Sequence, residues 1–205
     1  MIKIGIDIDG VARDLVGRLI EVYKKHYGDL EIDYDDITEY GLHKFFPIGD
    51  YIYDFMWLEH VDEVVAQAPA IRGIRRFIGD LRELHDDDIK VFLVSHQPPT
   101  AFLPTAQWIE QHRLFREVDG VILLKGGLAK SIEKSEFDLD ILIDDSTENL
   151  KEFREHGGIA IAFAQPWNQD WDGPRYSSFD RIVEHIKTIL KDLRKKKGET
   201  RNEDD

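Results

Sequence analysis

Two carboxylates two residues apart close the first apolar stretch of the chain: Asp7 and Asp9 lie within IKIGIDIDGV at 2–11. The β-branched residues of this stretch predict a buried strand, on which side chains two apart project to the same face. The two acids should therefore meet where the strand ends, and they would repel each other unless a cation lay between them. Gly10 allows the chain to turn directly afterwards. The stretch predicts a metal or phosphoryl site, with an ordinary strand-end turn as the alternative.

Further polar side chains follow the later apolar stretches. Ser95 follows IKVFLV, Lys130 lies in the loop after a third stretch, and Asp144 and Asp145 end a fourth. In a parallel sheet the carboxyl ends of the strands share one edge, so these groups should converge there. Carboxylates bind Mg²⁺, while a hydroxyl and an ammonium bind phosphate oxygens. The set is what Mg²⁺-assisted cleavage of a phosphate ester would use, although Ser95 could instead cap a helix and Lys130 could be a surface lysine.

The elements that must position these groups alternate between strand and helix about five times along the chain. Such alternation predicts an α/β fold, a doubly wound Rossmann-like parallel sheet of about five strands with helices on both faces. The predicted strands lie in 2–11, 89–94, 118–124, 139–143 and 159–163, and the main helices in 11–27, 74–84, 100–112, 148–156 and 179–193.

The segment after the first helix breaks this alternation, because residues 30–68 are rich in acids and aromatic residues and show no regular period. We predict short helices here, forming a small helical cap over 15–69 that is inserted into a core of 1–14 and 70–193. The aromatic residues could form the core of that cap or the floor of a pocket for a flat ligand. Residues 194–205 are charged and predict a disordered tail.

Composition narrows the possible partners. The 205-residue chain has a formal net charge of −14, 42% apolar residues and no cysteine. This charge disfavours polymeric nucleic acid and anionic membranes as partners. The lack of cysteine excludes disulfides and thiolate chemistry within this sequence. We therefore expect a cytoplasmic protein that acts on a small molecule; its oligomeric state cannot be predicted.

Together the motifs resemble those of the haloacid dehalogenase (HAD) superfamily of phosphohydrolases. The resemblance consists of DIDGV at 7–11, Ser95 after IKVFLV, Lys130, and LIDD at 142–145, in that order. Within the superfamily the chain is most similar to the 5'(3')-deoxyribonucleotidase, type C (pyrimidine nucleotidase) branch. Supporting segments are PAIRG at 69–73, AKS at 129–131 and QPWN at 165–168, the last of undetermined role.

The resemblance implies roles for the four acids. Asp7 would be the nucleophile that forms an aspartyl-phosphate, and Asp9 would protonate the leaving oxygen and then activate water. Mg²⁺ would bind the carboxylates of Asp7 and Asp145 and the backbone carbonyl of Asp9, with Asp144 in support. The expected activity is that of a phosphatase, a 5'-nucleotidase acting on a small phosphomonoester such as a nucleoside monophosphate.

The resemblance also implies that Ser95 and Lys130 hold the phosphate, with Lys125 competing for the lysine role. The chain departs from the branch just after its first motif, where relatives read DGVLADF and this chain reads DGVARDL. Arg13 and Leu15 are thus expected to contact substrate, but Leu15 replaces a phenylalanine that packs on the nucleotide. Two alternatives remain open: a phosphatase for another small metabolite phosphate, and an inactive HAD-like protein that only binds a phosphate ligand.

Overall fold

A six-stranded parallel sheet forms the centre of the molecule. The computed structural model describes residues 1–28, 31–84, 89–126 and 132–203. The strands are β1 (Ile2–Ile6), β2 (Ile89–Gln97), β3 (Gly120–Lys125), β4 (Ile141–Asp144), β5 (Ile159–Phe163) and β6 (Arg175–Tyr176). The helices are α1 (Leu15–Tyr27), α2 (Tyr51–Asp54), α3 (Ile74–Glu83), α4 (Phe102–Gln111), α5 (Thr147–Glu155) and α6 (Phe179–Glu203). The predicted doubly wound α/β fold is confirmed, with β6 added at the edge.

The strand order is β3-β2-β1-β4-β5-β6, so β1 lies at the middle and pairs with β2 on one side and β4 on the other. The chain winds outward in both directions from β1. In a sheet of this order the crevice between the two central strands opens at their carboxyl ends, where ligands bind. The acids that follow β1 and end β4 therefore lie on the two sides of that crevice.

Alternation along the strands builds a core on each face of the sheet. Ile4 of β1 and Ile143 of β4 pack on one face in a cluster that includes residues of α3 and α6, among them Phe77 and Ile182. Leu142 of β4 turns to the opposite face, where its cluster includes Leu150 and Phe153 of α5. These residues are almost fully buried, so the central strands, and the acids beyond them, are fixed from both sides.

A third hydrophobic cluster joins α1 to the short helices that follow it, with Leu19, Tyr23, Ile52, Phe55 and Val64 among its members. The short elements are 3₁₀ helices at Tyr34–Asp36 and Leu42–Lys44, then α2, then π-helical segments at Phe55–Glu59 and Asp62–Ala66. Many of the aromatic residues that broke the helical period in the sequence thus form a small core of their own. We keep 15–69 as the proposed extent of this cap.

A disordered tail was predicted at 194–205, and the structure describes this segment as far as residue 203. In the structure α6 continues to Glu203. Lysine, arginine and glutamate have high intrinsic helix propensity, which allows a charged segment to prolong a helix that is already anchored by packing. Among the described helices, none combines the length and the apolar composition needed to cross a membrane.

Candidate active site

Three acids from the two central strands meet in the crevice. Asp7 directly follows β1, Asp144 ends β4, and Asp145 follows it; all three are buried. One carboxylate oxygen from each lies within 4.8 Å of the others, a spacing that could hold a metal ion. The sequence predicted this convergence from the strand ends alone.

Gly10 explains how the chain passes these acids so closely. Its φ of +80° is one that residues with side chains rarely adopt, and a Cβ placed there would lie 2.2 Å from Asp145 Oδ2. A glycine is therefore required both by the turn and by the carboxylate beside it.

A buried lysine that the sequence analysis missed lies between two of the acids. The ammonium of Lys134 contacts Asp7 Oδ1 and lies 2.6 Å from Asp144 Oδ2, and only 1% of the residue is exposed. It belongs to a 3₁₀ helix, Lys134–Phe137, that follows the loop after β3. The predicted Lys130 lies outside the described residues, and the competing Lys125 is exposed at the end of β3. No periodic pattern marked Lys134; the only available signal was its place in the same loop, shortly before LIDD.

Burial and neighbouring charges shift the pKa values of the three acids. Burial raises the pKa of Asp7 to about 8, against the opposing effect of Lys134 and with help from the charges of Asp144 and Asp9. Burial, followed by the charges of Asp144 and Asp7, also raises the pKa of Asp145 well above its usual range. For Asp144 burial acts upward, but the charge of Lys134 and the hydrogen bonds from Lys134, Ser146 and Asn149 together outweigh it, and the pKa is lowered. When ionised, three carboxylates and one ammonium leave two negative charges, which a divalent cation would balance.

Asp9 turns away from this cluster towards Arg13. Arg13 Nε donates to Asp9 Oδ1 at 2.8 Å, and Nη2 lies 2.7 Å from the same oxygen. Arg13 Nη1 donates to the backbone oxygen of Val65 and to Thr105 Oγ1, and the guanidinium lies 5.2 Å from the ring centroid of Trp108. The side chain is fully buried. This differs from the expected substrate contact at the cap entrance: the charge of Arg13 points inward because Asp9, four residues before it, turns back to pair with it.

Beside Asp7 and Asp9 is a small cavity of about 160 Å³. Ser95, at the end of β2, lines it and donates to Asp9 Oδ2 at 3.4 Å. Ser146 and Asn149 line it from the start of α5, where Ser146 Oγ accepts from the backbone N–H of Asn149. The cavity thus joins the predicted hydroxyl to the amino end of a capped helix, which favours an anion.

A second cavity of about 240 Å³ opens between the acids and the cap. Its apolar wall includes Leu15, Val16, Ile37, Tyr53, Met56 and Trp57, and the core contributes Asp9, Asp145 and Trp167. Leu15, predicted to contact substrate, therefore faces this cavity from the first turn of α1. Tyr40 lines both cavities. The charge of Asp145 and then burial raise the pKa of its hydroxyl well above the usual range, although the residue as a whole is 66% exposed.

The segment 165–168, whose role was left open, contacts the active-site edge. Trp167 Nε1 donates to Asp145 Oδ2 at 2.9 Å, and Asn168 Nδ2 donates to the Asp145 backbone oxygen at 2.9 Å. Gln165 Nε2 donates to Gly10 O and its Oε1 accepts from the hydroxyl of Tyr34, at 2.6 and 2.8 Å. The segment fixes Asp145 and ties the first-motif loop to the cap.

The strand order, with acids at the switch point, gives the sheet the fold of haloacid dehalogenase-like hydrolases. L-2-haloacid dehalogenase from Xanthobacter autotrophicus shares this fold with a TM-score of 0.59 at 9% identity, covering 91% of this chain and 98% of that one. CbbY from Rhodobacter sphaeroides, solved in complex with phosphate, has a TM-score of 0.54 at 16% identity, covering 87% and 95%.

The chain belongs to the family of 5' nucleotidase, deoxy (pyrimidine), cytosolic type C proteins, whose sequence profile matches residues 1–191. It is 26% identical over 200 residues to a protein of Chlorobaculum tepidum, covering 92% of each chain. That relative is described as a "putative 5'(3')-deoxyribonucleotidase". Both predicted resemblances, to the superfamily and to the type C branch, are confirmed, and the chain is a phosphomonoester hydrolase of the nucleotidase type.

Proposed function

We propose that this protein is a Mg²⁺-dependent 5'(3')-deoxyribonucleotidase that transfers the phosphoryl group of a nucleoside monophosphate to Asp7 and then to water. The observation that carries the proposal is the buried cluster of Asp7, Asp144 and Asp145 with Lys134 at the base of a crevice that opens towards the cap. The family description supports the nucleotide substrate and a cytoplasmic location.

The residues of the cluster fit a hard divalent cation. They offer carboxylate oxygens only, the ligands that Mg²⁺ prefers, and their residual charge of two matches that of the ion. Asp7 and Asp145 would hold the ion with the backbone carbonyl of Asp9, while Asp144 is occupied by Lys134, Asn149 and the Ser146 N–H. When bound, the ion would neutralise phosphate charge and keep Asp7 ionised.

The phosphoryl group would occupy the smaller cavity, with Asp7 as nucleophile. Ser95 and the amino end of α5 line that cavity and would bind the phosphate oxygens. Lys134 would keep Asp7 oriented and offset the charge that develops during transfer. Attack by an Asp7 oxygen on phosphorus breaks the bond to the leaving oxygen, and Asp9 gives that oxygen a proton. Asp9 then accepts a proton from the water that releases phosphate from Asp7.

The larger cavity would hold the nucleoside. Its aromatic side chains, including Tyr53, Trp57 and Trp167, could stack on a flat base. Its mostly apolar wall is typical of small-molecule pockets. Leu15 offers no ring at the position where the branch has phenylalanine, which favours the second candidate, a phosphatase for another small metabolite phosphate.

A substrate panel separates these candidates. Purified protein with Mg²⁺ would be given 5'-deoxynucleotides, 3'-nucleotides, sugar phosphates and an aryl phosphate, and released phosphate would be measured. We expect the highest kcat/KM with a nucleoside monophosphate and no release after EDTA treatment. A sugar phosphate turned over faster than every nucleotide would favour the second candidate. Binding of nucleotides without any turnover would instead show a protein that has kept the site and lost the reaction.

A further inference from the structure

Three side chains of the cap, outside the proposed active site, converge on one point. His26 lies in the last turn of α1, His60 lies between the two π-helical segments, and Glu63 lies in the second of them. One possible ligand atom from each lies within 4.8 Å of the other two. All three are partly accessible: their side chains are 32%, 20% and 26% exposed.

We propose that His26, His60 and Glu63 form a binding site for a first-row divalent transition metal such as Zn²⁺ or Co²⁺. Two imidazoles and one carboxylate are a ligand set that these metals take up in tetrahedral sites, with water in the fourth position. Mg²⁺ prefers oxygen ligands, so the site differs in selectivity from the acidic cluster.

The distances match the edges of such a tetrahedron. His26 Nε2 lies 3.3 Å and His60 Nδ1 lies 3.5 Å from the same oxygen, Glu63 Oε1. Ligand atoms about 2.0–2.1 Å from a tetrahedral metal are separated by about 3.3–3.4 Å. Both histidines thus approach Glu63 at the spacing that a shared ion would impose.

The surrounding contacts hold the carboxylate in place. Lys25 Nζ binds the other oxygen, Glu63 Oε2, and Arg18 Nε donates to the Glu63 backbone oxygen at 2.9 Å. An ion pair with Lys25 already satisfies the charge of Glu63, so charge pairing alone does not require two more side chains at Oε1. Because Lys25 binds Glu63 Oε2, Glu63 Oε1 is the oxygen that could bind the metal. Contacts outside the ligand shell commonly orient metal-bound carboxylates in this way.

The two histidine rings also pack against each other, and the ring of His60 packs against Phe55. The ring of His60 lies 4.3 Å from that of Phe55 and 4.0 Å from that of His26, measured between centroids. Its backbone N–H donates to Phe55 O. A bound ion would link α1 to the segment 55–66. Both elements also line the larger cavity, through Leu15 on α1 and Trp57 on the other, so the ion would stiffen two of that cavity's walls.

The test is a Co²⁺ titration of the full chain, stripped with EDTA and returned to buffer with excess Mg²⁺ to occupy the acidic cluster. We expect the intense visible absorption of tetrahedral Co²⁺, displaced by Zn²⁺, and a rise in Tm with Zn²⁺. His26→Ala and His60→Ala should each weaken binding at least about tenfold. His156→Ala is the matched control. His156 also pairs with a glutamate, Glu152, but this pair lies outside the cap and includes no second histidine.

Glu63→Gln provides a second variant that keeps the shape of the side chain but removes its charge, and it should also weaken binding. Circular dichroism and phosphatase activity with Mg²⁺ would show that each variant folds. The proposal is overturned if the wild type gives no tetrahedral Co²⁺ spectrum, or if the histidine variants bind like the wild type. A spectrum that survives His60→Ala but disappears in Asp145→Asn would place the ion at the acidic cluster and would also contradict the proposal.

Discussion

At the level of single residues, Lys134 is the electrostatic centre of the site. It is buried between Asp7 and Asp144, and burial lowers its pKa, but the charges and hydrogen bonds of the two acids together outweigh burial and raise the pKa, so it stays protonated. Removing one partner from a buried ion pair leaves uncompensated charge, which is costly. The lysine therefore offsets buried negative charge at this edge of the sheet, and in the proposed reaction it would set the charge that the phosphate meets.

Lys134→Ala should lower kcat by about 10²-fold or more, because a fixed positive charge is lost where negative charge develops. The measurement is phosphate release from an aryl phosphate with Mg²⁺. Lys125→Ala is the matched control, since Lys125 is exposed at the end of β3, and it should keep wild-type activity. The reverse pattern, an active Lys134→Ala and an inactive Lys125→Ala, would contradict the assignment.

Arg13 would act as a positioning residue, because its guanidinium contacts Asp9 and it lines neither of the two cavities described above. Arg13→Ala should reduce kcat/KM for phenyl phosphate by about 10²-fold, by releasing the proton donor from its position. The loss should be much smaller for p-nitrophenyl phosphate, whose leaving group needs little protonation. Arg13→Lys should recover part of the activity.

Equal losses on the two esters would show that Arg13 has only a structural role. Arg75→Ala serves as the control, because Arg75 forms an exposed ion pair with Glu117. That variant should leave the ratio of the two rates unchanged.

At the level of elements, the site exists because β1 and β4 are neighbours. They lie at the point in the parallel sheet where the strand order reverses. The meeting of these acids at one edge of the sheet could be predicted from the sequence, since apolar strands ending in acids have a clear signature, but the strand order was not predicted. The position of Lys134 could not be predicted, because its contact with Asp7 joins residues 127 positions apart in the chain. The inward turn of Arg13 also depends on packing against Thr105 and Trp108, residues about 90 positions further along the chain.

The burial of Asp7 where these strands meet predicts how the affinity for Mg²⁺ depends on pH. Burial raises the pKa of Asp7 from 3.8 to about 8 in the metal-free protein. Below about pH 8 this carboxyl therefore carries a proton that Mg²⁺ must displace, so affinity should fall as pH falls. We expect a loss of about tenfold per pH unit for each proton displaced.

Calorimetric titration in two buffers of different ionisation enthalpy would count the protons released. Asp7→Asn, which has no proton to lose at this position, should show a weaker pH dependence. Mg²⁺ affinity that is constant from pH 6 to pH 8, a range set by the raised pKa, would contradict this account.

At the level of the whole molecule, the α/β sheet could be predicted from the sequence, whereas the detailed structure of the proposed cap could not. The strands and main helices could be predicted because their apolar residues recur at regular spacing, which reflects burial against the faces of the sheet. The cap did not, because its short 3₁₀ and π-helical segments have no long period and its aromatic residues are shared between a small core and the cavity wall. The net charge of −14 is compatible with an anionic substrate only because fixed cations lie at the site.

In the proposed reaction Asp7 carries the phosphoryl group. The most direct measurement is acid quenching of the enzyme during turnover of a nucleoside monophosphate with Mg²⁺, followed by mass spectrometry of the peptide that contains Asp7. We predict a phosphate adduct on Asp7 in the wild type, and neither adduct nor turnover in Asp7→Asn. Phosphate release by Asp7→Asn at the wild-type rate, or an adduct on another residue, would contradict the account.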